Sequence, residues 1–319
     1  MDSRQLYGPQ YWSDFPEILD QANPCIDLIT SHDGAPLHVC HLGAPSSDNA
    51  ILLMPPMTPL FLVLPMLVEL SRTVAVTTWE PRGFITGAEY RYSHSMRAYA
   101  QDAECVIAST NVKRTHLICW CASADVAALL YQIRKCEIES VALLSPLLPS
   151  DVVDRRLKTF ARSTVQRVVE AVNETNEYAH EAFKKLQLLL NMSSGNGRNS
   201  ALDRLVRLNF NSFTQLCERN RANREFYEDL SVAKRRYLLK ELTEAVPTCL
   251  ICFEDDDVVE GPDPWLKSTV PNLLVERLPA GGHYAPFKEP LAVCSSLIHF
   301  YRWVKERRGA SKAGGDICE

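Results

Sequence analysis

Leu117-Ile118-Cys119-Trp120-Cys121-Ala122-Ser123-Ala124-Asp125-Val126-Ala127-Ala128-Leu129-Leu130 carries the strongest fold signal in the chain. Its first part is an unbroken apolar run, the pattern of a strand buried on both faces, and its last part is rich in Ala and Leu, the pattern of a helix. Between them Cys121, Ala122 and Ser123 are small enough for a sharp turn in which strand and helix approach closely. Cys121 stands at the tip. A thiol at the head of a helix is chemically well placed, because the positive end of the helix dipole favours the thiolate.

Outward from this stretch, short apolar runs alternate with helical ones. Ala50–Met54, Thr73–Thr77, His116–Trp120 and Ser140–Leu144 read as strands; Leu60–Leu70, Met96–Ser109 and Asp125–Arg134 read as helices. Such alternation predicts a parallel sheet covered on both faces. Cys25–Thr30 and Pro36–His41, separated by Ser31-His32-Asp33-Gly34, read as an antiparallel hairpin leading into it. The pattern changes at Asp151. Four charged helices are predicted near 151–172, 174–190, 201–219 and 223–245, with a turn-rich loop over 191–200. Strand character returns at Pro247–Phe253 and Asn272–Leu278, and a last helix is predicted over 290–307. Residues 25–150 and 246–307 thus form one α/β unit, with a helical block, 151–245, inserted between its halves. Residues 308–319 are predicted to be a disordered tail. The N-terminal arm, 1–24, carries Tyr7, Tyr11, Trp12 and Phe15 and is expected to pack on the helical block or on a second copy in a homodimer.

A chain of 319 residues that is 46% apolar can bury a sizeable core. The net charge of −5 argues against a general nucleic-acid binder. The first ten residues are polar, unlike a signal peptide, and the longest apolar run, Leu60–Leu70, is too short to span a bilayer and contains Pro65 and Glu69. A cytoplasmic location without a membrane partner is expected. The 11 cysteines then read as reduced thiols, mostly small core hydrophobes. Their spacing suggests no zinc site, and no metal or cofactor is expected.

Cys119-Trp120-Cys121-Ala122-Ser123 resembles the G-x-S-x-G nucleophile turn of the α/β-hydrolase superfamily, with cysteine for the serine and Cys119 and Ser123 for the glycines. Downstream, Phe253-Glu254-Asp255-Asp256-Asp257-Val258-Val259 resembles the family's strand-end acid motif, which assigns the acid to Asp256, with Asp255 and Asp257 as one-residue alternatives. Gly281-Gly282-His283 then resembles the family's Gly-His loop and assigns the base to His283. Nucleophile, acid and histidine follow in the family's order. The resemblance implies the α/β-hydrolase fold, a mostly parallel central sheet with helices on both faces, and a helical cap over 151–245 that roofs the pocket.

The same resemblance implies an oxyanion hole built from the backbone N–H of Ala122 and an N–H after the Ala50–Met54 strand. There the chain has Pro55-Pro56-Met57-Thr58, so the donor is Met57, with Thr58 in reserve, because proline has no N–H. Glu80-Pro81-Arg82-Gly83 resembles the family's Asp-x-Arg-Gly segment, in which Arg82 and Gly83 would brace loops. A rival register makes Ser123 the nucleophile. It would put Asp125 at the close strand–helix contact, where an ionised group is costly, whereas the Cys121 register puts it in the first helical turn.

A Cys121–His283–Asp256 triad implies acyl transfer or hydrolysis of a thioester or ester, as in free-standing thioesterases, acyltransferases and cyclases of natural-product biosynthesis. Arg155-Arg156 with Lys158, and Lys234-Arg235-Arg236, could meet the phosphates of coenzyme A or a carrier-protein arm, although such clusters read first as solvated helix faces. Two other readings stay open: a non-covalent cyclase or lyase with His283 as general base, and a hydrolase-fold protein that only binds a ligand.

Overall fold

The computed structural model describes residues 24–44, 48–56, 58, 60–82, 91–110, 112, 114–133, 138–149, 213–256, 266, 270 and 273–313. Among them, strands β1 (Cys25–Thr30), β2 (Pro36–Leu42), β3 (Asp48–Leu53), β4 (Ala75–Trp79), β5 (Arg114–Trp120), β6 (Ile138–Leu144), β7 (Thr248–Phe253) and β8 (Leu273–Leu278) form one 8-stranded sheet. The spatial order is β1-β2-β4-β3-β5-β6-β7-β8. The β1–β2 and β2–β4 pairs are antiparallel; the remaining pairs are parallel. This is the α/β-hydrolase fold, and the predicted strands lie where expected, with ends shifted by a residue or two.

Burial accounts for the central strands. In β5 every residue after Arg114 is buried, and β7 is buried throughout, as parallel strands covered on both faces must be. The covering helices are α1 (Leu64–Ser71), α2 (Met96–Ser109) and α3 (Ser123–Ile133), then α4 (Phe213–Glu228), α5 (Val232–Ala245), the short α6 (Ala285–Lys288) and α7 (Pro290–Ala313). Leu60–Leu70 is not one helix: a 3₁₀ turn, Leu60–Leu62, precedes α1, whose start accepts Pro65 in its first turn.

Two further helix boundaries differ from expectation. The predicted helix break between 219 and 223 does not exist; α4 runs through it, because Ala222 and Phe226 are buried one turn apart on the same face. The real break follows Glu228, where Ser231 caps α5 by accepting a hydrogen bond from the Lys234 N–H at 3.2 Å. At the other end, α7 continues to Ala313 instead of stopping near 307.

α4 and α5 are anchored to the sheet unit. Phe226 packs edge-on against Tyr99 of α2 at 5.5 Å, and the Arg97 N–H donates to Asp229 at 3.1 Å. Leu238, Leu239 and Leu242 of α5 join the same apolar core as the sheet. Arg235, also on α5, forms a fully buried ion pair with Asp125 of α3 at 3.1 Å. The rest of the predicted cap, 151–212, and the N-terminal arm up to residue 23 lie outside the described residues. No helix among the described residues is long and apolar enough to cross a membrane.

Candidate active site

The turn after β5 has the geometry expected of a nucleophile elbow. Cys121 sits at φ 58°, the left-handed region that a residue with a β-carbon rarely adopts. Backbone hydrogen bonds to the neighbouring turn hold it there. Its N–H donates to the Leu144 carbonyl at 3.0 Å, and its carbonyl accepts from the Leu147 N–H at 3.1 Å. Ser145, between those two partners, is also left-handed, at φ 41°, and its N–H donates to the Ile251 carbonyl at 3.0 Å. The elbow is thereby stitched to β6 and β7.

The residues standing in for the family's glycines are fully buried. Burial pushes the Cys119 thiol far above its ordinary value, so it stays protonated. Ser123 has no accessible surface, and its hydroxyl lies 2.8 Å from the Leu53 carbonyl and 2.7 Å from the Trp120 carbonyl. Its one proton is committed to the backbone. Asp125 falls in the first turn of α3, as the Cys121 register requires, and Arg235 faces it.

β7 ends at Phe253, and the next turn carries the candidate acid. Asp256 lies with its Oδ2 3.4 Å from Nδ1 of His283, both side chains being buried. Nδ1 of the ring faces Asp256, and the Cys121 side chain also acts on the ring. Burial by itself would push the imidazole down; the hydrogen bonds with Asp256 and Cys121, and the charge beside them, outweigh it and hold it up at about 10.

Asp255, an alternative acid in the sequence, is placed differently. Its carboxylate accepts from the backbone N–H of Gly281 at 3.2 Å and of Gly282 at 2.7 Å. Both glycines have positive φ, and a β-carbon on Gly281 would come within 2.7 Å of the Ala285 β-carbon. On the other side of His283, the Trp120 indole N–H donates to the His283 carbonyl at 2.9 Å. The Trp120 ring packs 6.0 Å from both His283 and Tyr284. The sequence reading missed these roles of Trp120 and Asp255. A buried indole N–H must find a partner, which was the available signal for Trp120. Asp257 lies outside the described residues.

The oxyanion side is partly on view. Ala122 is buried at the start of α3, but Met57 lies outside the described residues. The Leu60 N–H, further along the same loop, is taken by the buried Glu80 carboxylate at 3.1 Å, so Glu80 tethers this loop to the end of β4. Arg82 braces loops as expected: it donates to Asp102 at 2.6 and 2.5 Å, to Asp33 at 2.6 and 3.1 Å, to the Ser93 carbonyl at 2.8 Å and to Ser31 at 2.9 Å.

The Lys234-Arg235-Arg236 cluster is not one basic patch. Arg235 turns inward to Asp125, the Arg236 Nε–H donates to the Pro149 carbonyl at 2.8 Å, and Lys234 lies over the Tyr237 ring at 4.9 Å. Arg155, Arg156 and Lys158 lie outside the described residues. Among the described residues, no group of His, Cys, Asp and Glu could hold a metal ion. A separate cavity of about 400 Å³, lined by Arg72, His116, Tyr301, Arg302 and Lys305, opens where β4 begins, at the opposite edge of the sheet from Cys121.

No protein-family model matches the chain, and no curated protein matches it in sequence. Solved structures do match in fold. A loop variant of a haloalkane dehalogenase from Bradyrhizobium elkanii shares 15% identity at a TM-score of 0.65, covering 91% of this chain and 99% of that one. A carboxylesterase structure from Nitrososphaera gargenis shares 15% identity at 0.65, covering 88% and 100%. The ligand-free epoxide hydrolase CorEH shares 14% at 0.63, covering 88% and 99%. At such identities the likeness extends to the fold alone.

Proposed function

We propose that this α/β-hydrolase-fold chain is an acyl-transfer enzyme that works through a cysteinyl acyl-enzyme, with Cys121 as nucleophile, His283 as proton shuttle and Asp256 orienting the imidazole. The observation that supports it most directly is the pairing of His283 Nδ1 with the Asp256 carboxylate at 3.4 Å, together with Cys121, which acts on the same imidazole from a left-handed turn at the head of α3. The commitment of the Ser123 hydroxyl to two carbonyls favours this register over its rival.

The chemistry follows from proton transfer: the imidazole takes the Cys121 thiol proton and holds it, which leaves an imidazolium beside a thiolate. The Cys121 thiolate adds to the acyl carbon, and the carbonyl electron pair moves onto oxygen, facing the Ala122 N–H and a second donor from the Met57–Thr58 loop. Collapse breaks the bond from the acyl carbon to the leaving thiol or alcohol, which takes the proton from His283. The neutral imidazole then accepts a proton from water or another acceptor as it attacks acyl-Cys121. The second collapse restores the thiolate and the imidazolium. Thioesters, carried on coenzyme A or a carrier protein, suit this cycle because thiol–thioester exchange is nearly isoenergetic.

Intact-protein mass spectrometry after exposure to a panel of acyl thioesters tests the proposal. An acyl mass gain on Cys121 is expected, absent in Cys121→Ala and retained in Ser123→Ala. Turnover that survives Cys121→Ala but not His283→Ala would replace it with a non-covalent cyclase or lyase. The Pro55-Pro56 pair and the engaged Leu60 N–H, which leave few oxyanion donors, favour that second reading. Ligand-induced stabilisation with no turnover under any condition would point instead to a binding protein.

A further inference from the structure

The geometry points to Trp120 and Asp255 as positioning residues that clamp the backbone of the catalytic base from both sides. Each immediately precedes another member of the proposed triad, Cys121 or Asp256, and the inference rests on that triad reading. Asp255 takes hold ahead of His283, through the N–H groups of Gly281 and Gly282 at 3.2 and 2.7 Å. Trp120 takes hold at His283 itself, through the carbonyl at 2.9 Å, and its ring backs the imidazole.

A clamp is needed because two successive glycines lead into the base. Gly281 and Gly282 occupy positive φ, at +120° and +56°, and close packing excludes a β-carbon at Gly281. The positions therefore require glycine, and glycine is the residue with the most backbone freedom to lose. An unrestrained Gly-Gly hinge would spread His283 over many orientations, whereas its ring must meet the sulfur and Asp256 at once. Three hydrogen bonds from the ends of β5 and β7 remove that freedom. Since those ends also carry Cys121 and Asp256, any shift of either strand moves the base with it. The triad is thus held as one body rather than as three independent side chains.

The test follows iodoacetamide alkylation of Cys121 against pH in the full-length chain. Peptide mass spectrometry distinguishes Cys121 from the exposed Cys25. His283→Ala sets the scale for a lost base. Replacing Trp120 with benzothienylalanine keeps the bicyclic shape and removes only the N–H donor; Asp255→Asn keeps the side-chain size and one acceptor oxygen. Each is expected to slow alkylation at neutral pH by roughly three- to tenfold, the weight of a hydrogen bond. Each should also displace the pH profile of alkylation from that of the wild type, in the direction set by His283→Ala. A purely structural role would leave the profile in place. Wild-type profiles in both variants, with His283→Ala still slowed, would overturn the clamp and leave the triad standing. An unchanged profile in His283→Ala would overturn the triad and the clamp together. If the Trp120 isostere does not fold, Asp255→Asn decides by the same readout.

Discussion

Ser123 and His283 are both buried polar side chains, and each is held by a different kind of partner. The Ser123 hydroxyl, buried between the Leu53 and Trp120 carbonyls, ties the start of α3 to β3 and β5. Ser123→Ala is therefore expected to lower unfolding stability by about 1 kcal/mol while leaving turnover intact. Urea denaturation and a thioester assay measure the two halves separately, and loss of turnover without loss of stability would contradict the assignment. For His283 the effect depends on pH. Its imidazole is held above its ordinary value of 6.5, at about 10. The folded chain thus binds this proton more tightly than the unfolded chain. The resulting stabilisation is fully present below about 6.5 and is lost as pH rises through about 10. The stability difference between the wild type and His283→Gln should be largest in mild acid and shrink in alkali. A difference that grows with pH would mean that the imidazole is not held in its charged form.

At the scale of elements, the contact between α3 and α5 is the informative one. The helix that follows Cys121 carries Asp125 in its first turn, and α5 brings Arg235 against it, both nearly inaccessible to solvent. Removing one partner of such a pair leaves a buried charge poorly compensated. Arg235→Met is therefore expected to cost about 3 kcal/mol or more in urea unfolding. Asp125→Leu in the same chain should recover much of that loss, because the burial penalty disappears with the second charge. A double variant as unstable as the two single losses combined would show that the ion pair contributes little to joining the helices. The elements also show where local pattern misleads. The helices predicted over 201–219 and 223–245 leave a break within α4, yet Ala222 and Phe226 bury its inner face and carry the helix past it.

At the scale of the molecule, Arg82 joins parts of the chain that lie far apart in sequence. One guanidinium bridges the β1–β2 hairpin at Ser31 and Asp33, the Ser93 carbonyl ahead of α2, and Asp102 within α2. Ser31 also donates a short hydrogen bond to Asp102, which closes the network. Arg82→Met removes every one of the guanidinium contacts and leaves Asp102 buried, with an expected cost of about 3–5 kcal/mol by calorimetry or denaturant. Arg82→Lys should recover only part of it, since an ammonium cannot reproduce the fork that meets two carboxylates. Full stability in the lysine variant would reduce the network to simple charge balance.

The sequence by itself determined the strands and their alternation with helices, because burial on both faces demands continuous apolar runs that stand out in the pattern, as in β5 and β7. It also determined the order of Cys121, Asp256 and His283, since each follows a strand and so reaches the same edge of a parallel sheet. The motif resemblance assigned the acid to Asp256, but local chemistry did not separate it from Asp255 and Asp257. Neighbouring carboxylates have the same local chemistry, and only the arrival of the Gly281–His283 loop gives Asp255 the backbone and Asp256 the ring. The same holds for Trp120, Arg235 and Glu80. Each is matched to a partner on another element, and a side chain's direction across such a contact is decided by how helices, sheet and loops pack, not by the residues beside it in the chain.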